Sequence, residues 1–182
     1  MSKTILYPFR IDKDFRIGYA WSAELSRRLK YKHSLFTTLT ATSNEPVADV
    51  YHSLAEAQGY YVKNFQLLHL GLKPVKSERN FLEGDFVETF IDFADQNPQH
   101  IIVLQSDLFS NEVMKKVISS GRKVIVLSSN EILKSPATRK DRAQLFLMML
   151  QNAALYNIPS SFFSTISEDV GLFKYIAALF KG

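Results

Sequence analysis

Hydrophobic patterning divides the chain into short apolar runs separated by longer stretches of helical period. Two runs, Ile101-Ile102-Val103-Leu104 and Val124-Ile125-Val126-Leu127, are rich in β-branched residues and lack polar alternation. That is the signature of strands buried on both faces. Between them Val113, Met114, Val117 and Ile118 recur at helical spacing from Asn111 to Ser120, and Gly121 supplies a stop. A strand, a helix and a strand in about thirty residues form a βαβ unit, so the two strands are expected to be parallel. Upstream, Thr4–Phe9 reads as a first strand centred on Ile5-Leu6-Tyr7. Pro8 must then stand where no ladder donor is needed. Asp12 or Asp14 is the predicted cap of a helix reaching about Lys30, with Ile17, Trp21, Leu25 and Leu29 four apart on one stripe.

The pattern continues with a second strand over His33–Thr40 and a helix entered through Ser43-Asn44-Glu45-Pro46 and ending before Gly59. Phe65–Leu70 is the predicted third strand. Gly71–Leu82 is expected to be largely an exposed loop, because Lys73, Lys76, Glu78 and Arg79 crowd it. Asp85 is the expected N-cap of a helix that buries Phe86, Phe90, Ile91 and Phe93-Ala94 and ends at Asn97-Pro98. Beyond Ser129, Ser135-Pro136 opens a long helix predicted over Ala137–Tyr156, apolar almost all round from Leu145 to Leu150. A last helix is predicted from Ser167-Glu168-Asp169 through Phe180. The expected fold class is therefore α/β: a doubly wound, five-stranded parallel sheet of Rossmann type, with a C-terminal helical extension. The expected division is an α/β domain over 1–130 and an extension over 131–182, packed on the domain or in a dimer interface.

Composition narrows the function classes. The 182 residues hold 46% apolar and 22% charged side chains and no cysteine, so thiolate metal sites, disulfides and a cysteine nucleophile are excluded. The N-terminal apolar run turns polar at Arg10, too soon for a signal peptide, and no run approaches membrane length. The cytoplasm is the expected compartment. The net charge of +4 is mild. Its densest patch, Arg27-Arg28-Leu29-Lys30-Tyr31-Lys32-His33, reads as a solvated helix C-terminus rather than a nucleic-acid footprint.

The residues also resemble a family. Thr4-Ile5-Leu6-Tyr7-Pro8-Phe9, followed by Ala20-Trp21-Ser22-Ala23-Glu24-Leu25-Ser26-Arg27-Arg28-Leu29, is similar to the opening of universal stress proteins. Glu83-Gly84-Asp85 with Ile91-Asp92-Phe93-Ala94-Asp95 resembles that family's third-helix entrance, and the two apolar runs resemble its fourth and fifth strands. The resemblance spans about Lys3–Ser129. It implies the adenine-nucleotide-hydrolase-like fold and a role in stress-related regulation. Nucleotide-binding members close the first strand with an aspartate, where this chain has Phe9-Arg10. They also follow the fourth strand with a glycine-rich G-x-x-G loop, whereas no glycine lies here between His100 and Gly121. Such glycines let backbone amides approach phosphates. The resemblance thus implies a divergent member without the ATP loop.

Candidate chemistry is sparse. Ser106-Asp107 lacks a G-x-S-x-G setting, and capping by Asp107 or Ser110 is the simpler reading. His33, His52, His69 and His100 form no metal motif. Asp92 and Asp95 are three apart on a helix, as an exposed face alone explains. Arg10 follows the first strand at the expected switch point of the sheet. With Thr38, Gln105, Ser106, Ser110 and Ser128 on neighbouring strand ends it outlines a seat for a small anion. Alternatively Arg10 pairs with Asp12, Asp14 or Asp107 and plugs the crevice. The leading expectation is a non-enzymatic regulatory or interaction module with no cofactor and no metal. The second is a binding protein for a nucleotide or small anion at Arg10, and the third an enzyme of the nucleotide-binding α/β group. As partners, a homodimer through the C-terminal helices or the Val124–Leu127 strand is expected, with no nucleic acid and no membrane.

Overall fold

The computed structural model describes residues 3–39, 47–65, 75–128, 139–159 and 162, the side chains of 139–144 excepted. One six-stranded sheet runs through it in the order β3-β2-β1-β4-β5-β6. The strands are β1 (Thr4–Pro8), β2 (Lys32–Leu39), β3 (Ser77–Glu83), β4 (Ile101–Gln105), β5 (Lys123–Leu127) and β6 (Ala154–Tyr156). The helices are α1 (Arg16–Leu29), α2 (Val47–Asn64), α3 (Phe86–Gln96), α4 (Asn111–Ser119) and α5 (Arg139–Asn152). Strands β1 to β5 are parallel, as the apolar runs predict, and β6 joins β5 antiparallel, with Val124 opposite Tyr156 and Val126 opposite Ala154. Right-handed crossovers set α1 and α2 on one face and α3 and α4 on the other. The core strands β1 and β4 are buried along their whole length.

Pro8 sits in a central strand without costing a ladder bond. The Phe9 N–H donates to Phe36 O at 2.9 Å, so alternation turns the Pro8 nitrogen toward β4. Pairing with β4 has already ended at Leu6 opposite Ile102.

Of the predicted third strand, Phe65 follows the end of α2, and residues 66–70 lie outside the described residues. The third strand of the described sheet comes from Ser77–Glu83, within and just beyond the stretch expected to be a loop. It is polar because it is the outer strand, with only β2 beside it among the described residues. Helix α2 does not stop at Gly59: its buried positions Val50, Leu54, Ala57, Tyr61 and Asn64 carry one stripe straight past it. Gly59 lies on the exposed side, where a side chain would meet nothing.

The long C-terminal helix is shorter than predicted. Helix α5 ends at Asn152 and the chain returns as β6, which makes Val124–Leu127 an inner strand rather than the edge expected to dimerise. The predicted helix entrance at Ser135-Pro136 and the final helix from Ser167 lie outside the described residues. The Phe146 ring of α5 stacks on Trp21 of α1 with centroids 5.1 Å apart, and the Trp21 indole donates to Phe146 O at 3.1 Å. This places α5 on the α1 face, with Leu145, Phe146 and Met149 buried.

The expected caps hold for two helices. Asp85 accepts from the N–H groups of Val87 and Glu88, and Ser110 accepts from Val113 N. At α1 the N-cap position is Phe15, and Asp14 reaches one residue further to accept from Arg16 N at 3.2 Å. The basic stretch after it is not simply a solvated helix end. Arg28 is buried, and with Arg27 it donates to the carboxylate of Glu24, itself 1% exposed.

Candidate functional site

In doubly wound sheets the ligand crevice opens beyond the carboxyl ends of the strands, where the order reverses. Here that place lies between β1 and β4, under the N-terminus of α1. Four side chains of the protein itself fill it. Tyr7 and Phe9 come from the end of β1, Phe15 from the turn into α1, and Gln105 from the end of β4. All four are at most 3% exposed.

Their hydrogen bonds close on one another. Gln105 Oε1 accepts from the Gly18 N–H at 3.0 Å, and its amide group donates to Asp14 O at 2.8 Å. The Tyr7 hydroxyl lies 3.0 Å from both Gln105 Oε1 and Phe15 O, with one proton to share between them. Burial first, and then the carboxylates of Asp107 and Asp14, push the Tyr7 phenol well above its ordinary pKa, so it stays a neutral donor. Gly18 is what lets α1 come this close: a Cβ there would lie 2.6 Å from Gln105 Oε1 and hard against the Tyr7 hydroxyl. The Phe9 and Phe15 rings, both buried, pack against each other with centroids 4.5 Å apart.

The free N–H groups at a helix N-terminus are the usual seat for a phosphate. At α1 two of them are already taken, Arg16 N by the Asp14 carboxylate and Gly18 N by Gln105. Asp14 is held below the ordinary carboxylate range chiefly by its hydrogen bond from the Arg16 guanidinium, so it is anionic at neutral pH and repels a second anion.

Of the predicted site residues, Arg10 and Gln105 turn to opposite faces of the sheet. Arg10 is exposed and grips Asp12 through two hydrogen bonds of 3.0 and 2.9 Å, with its guanidinium carbon 5.9 Å from the Phe86 ring centroid on the α3 face. Gln105 turns to α1 on the opposite face. Thr38 is half-buried near the end of β2, in register with Leu82 of β3. The Ser106 N–H continues the β4–β5 ladder by donating to Leu127 O. Ser110 caps α4, and Ser128 is half-buried just past β5. Residue patterning passed over Tyr7, Phe9, Phe15 and Gly18. Two signals were available: a phenol inside a fully buried strand needs a partner, and a glycine in the first turn of an amphipathic helix marks a close approach.

A shallow open cleft lies beside this plug, lined by Ile11, Lys13, Asp14, Phe15 and Arg16 with Ser53 and Glu56 of α2. Its acidic and basic groups balance, and Arg16 is engaged by Asp14. Among the described residues no cluster of histidine or acidic side chains is arranged to hold a metal. None of the described helices is long and apolar enough to cross a membrane.

The fold is that of the doubly wound α/β proteins. Among solved structures it is similar to the universal stress protein from Archaeoglobus fulgidus in complex with dAMP, with a TM-score of 0.50 and 19% identity over 68% of this chain and 96% of that one. No protein-family model and no curated protein matches the chain. The likeness supports a universal-stress-protein-like fold.

Proposed function

We propose that this chain is a universal-stress-protein-like module that works through protein contacts in the cytoplasm, without catalysis and without a nucleotide. The observation that carries the reading is the plug. Where a doubly wound fold receives a ligand, Tyr7, Gln105 and Gly18 are bonded to one another and Phe9 and Phe15 cover them. A nucleotide would have to break three buried hydrogen bonds and displace two aromatic rings. Each bond left unmade costs about 1–3 kcal/mol. It would also set its phosphates beside Asp14. The archaeal structure of similar fold holds dAMP, and this chain would differ from it in ligand while keeping the scaffold.

Titration calorimetry with ATP and dAMP tests the reading. No binding heat is expected at millimolar nucleotide. Micromolar binding overturns it. The competing reading, an anion seat at Arg10, requires phosphate to raise the melting temperature by mass action and Arg10→Ala to abolish that rise. The Asp12 carboxylate already neutralises Arg10, so no rise is expected.

A further inference from the structure

The net charge of +4 is unevenly placed along the strand axis. At the carboxyl ends of the strands Asp12, Asp14, Glu83, Asp85 and Asp107 are exposed. The amino ends carry lysines instead. Lys3 precedes β1, Lys32 opens β2, Lys76 precedes β3 and Lys123 opens β5, and all four are exposed. Strand register sets them in a row. His33 is level with Ser77, so Lys32 is level with Lys76. Thr4 is level with Lys32, so Lys3 stands one residue further out. Lys123 is level with Ile101, and Ile101 with Ile5, one residue further in. Lysines far apart in sequence thus line one end of strands spaced about 4.8 Å apart. At the β6 end of the row Tyr156, opposite Val124, is 37% exposed.

A cation at a helix C-terminus complements the dipole, which accounts for exposed Lys30 at the C-cap of α1. A strand has little dipole to complement, so the four strand-end lysines call for another reason. Lys32 reaches Glu78 at 3.4 Å, and Lys3 lies 5.5 Å from the Tyr31 ring centroid. Lys76 and Lys123 have no ion-pair partner among the described residues. The last turns of α3 bring Asp92 and Asp95 to the same end, where Arg122 binds Asp95. Residues 66–74 and 163–182 lie outside the described residues. The first stretch carries Lys73 and no acidic side chain, and the second balances Glu168 and Asp169 with Lys174 and Lys181. Neither brings net negative charge.

We propose that the amino end of the sheet binds single-stranded nucleic acid, its phosphate backbone crossing the strand ends along Lys76, Lys32, Lys3 and Lys123 and a base stacking on Tyr156. A phosphate backbone is a line of single negative charges, and the row is a line of single cations. An acidic protein is a poorer occupant. Lysine is depleted from protein–protein interfaces, whereas nucleic-acid interfaces are strongly cationic. The exposed ring selects a single strand, because the bases of a duplex are already stacked on one another. The acidic carboxyl end turns the molecule so that a polyanion meets the lysine end first. The surface goes beyond the function proposed above. It lies at the opposite end of the strands from the crevice and does not depend on whether the crevice takes a ligand.

Fluorescence anisotropy of a labelled oligo(dT) titrated with the full chain tests the surface. A dissociation constant of about 1–100 µM at physiological salt is expected, with a log–log salt slope of about −3 for four lysines. The double variant K3E/K76E is expected to weaken binding at least about tenfold. The control K13E/K115E changes the net charge equally but lies away from the row, and is expected to weaken binding less than about threefold. Tyr156→Ala is expected to weaken it about fivefold at an unchanged salt slope, which a purely ionic contact would not show. Circular dichroism shows whether each variant keeps its fold, and K3Q/K76Q takes the place of the charge reversal if that unfolds the chain. Four results overturn the proposal: no binding at about 100 µM protein, equal losses in the two lysine double variants, Tyr156→Ala without effect, or polyglutamate displacing the oligonucleotide at equal charge.

Discussion

His33 should make the protein acid-sensitive well above the pH at which carboxylates titrate. It is the second residue of β2, 1% exposed, and lies between two hydroxyls. Ser22 Oγ donates to Tyr19 O at 3.0 Å, which leaves it free to accept from His33 Nε2–H at 2.9 Å. Ser77 Oγ, 2.7 Å from Nδ1, then donates to the unprotonated nitrogen. The neutral imidazole is fully satisfied, and burial lowers its pKa from 6.5 to about 3. Between those two values the unfolded chain binds a proton that the folded chain refuses. The stability is therefore fully present above the unfolded pKa and is lost as pH falls from about 6.5 toward about 3. The gap corresponds to about 5 kcal/mol when fully traversed, and to about 2 kcal/mol between pH 7 and pH 5. His100, also lowered by burial, acts in the same direction.

His33→Gln removes the titration but keeps an uncharged polar side chain. Urea unfolding of both proteins at pH 7 and pH 5 isolates the effect. The variant is expected to be less stable at pH 7, by about 1–2 kcal/mol for its poorer hydrogen bonds. Its further loss on going to pH 5 should be smaller than the wild type's by about 2 kcal/mol. The carboxylates and His100 contribute equally to both proteins and cancel. Equal pH dependence in the two, or a His33 imidazole resonance that titrates near pH 6 in the folded protein, would refute the argument.

Other consequences can be measured on the same material. Gly18→Ala should destabilise the fold by about 1–3 kcal/mol, because its methyl group collides with Tyr7 and Gln105; an unchanged melting temperature would show that α1 can move away. Glu24→Ala removes the buried carboxylate to which Arg27, Arg28 and the Tyr61 hydroxyl all donate. A loss of about 3–5 kcal/mol in urea unfolding is expected, against about 1 kcal/mol for Tyr61→Phe. Phe146→Ala should cost about 3–5 kcal/mol and shift the emission of Trp21, the single tryptophan, to longer wavelength as its stacked cover is lost. Emission that does not move would mean that Trp21 is shielded without α5.

The sequence made the inner sheet legible because β1, β4 and β5 are buried and have to be apolar. It misled at the margins for the same reason. Strand β3 has one neighbour strand among the described residues, so Glu78, Arg79 and Glu83 are tolerated, and their charges read as a loop. Strand β6 is three residues added after a helix, too short for any period to register. Gly59 looked like a stop because glycine weakens a helix, yet the buried stripe of α2 decides how far that helix runs. The buried Glu24 is, in the sequence, one letter of the run Ala20–Leu29. Only the arrival of Tyr61 from α2 and of Arg28 from its own next turn makes it the centre of an ion cluster.

The crevice shows the limit of motif reasoning more sharply. Missing glycines after β4 argue that phosphates are not cradled, but they do not say what stands in their place. The replacement is assembled from Tyr7, Phe15 and Gly18 near the start of the sequence and Gln105 far along it, and none of them is a motif. Gln105 ends an apolar strand, Tyr7 lies inside one, Phe15 precedes a helix and Gly18 lies in its first turn. Each has an ordinary reading by itself. Together they satisfy a condition that any chain with an empty switch point must meet: the α1 N–H groups and the β4 end need partners once no ligand supplies them. Asp14 and Gln105 supply those partners from within. On the reading proposed above, giving up a ligand in such a fold is not a deletion alone: it calls for an internal acceptor for the helix terminus, a small residue where the helix closes down, and apolar rings beside them, and Gln105, Gly18, Phe9 and Phe15 offer these.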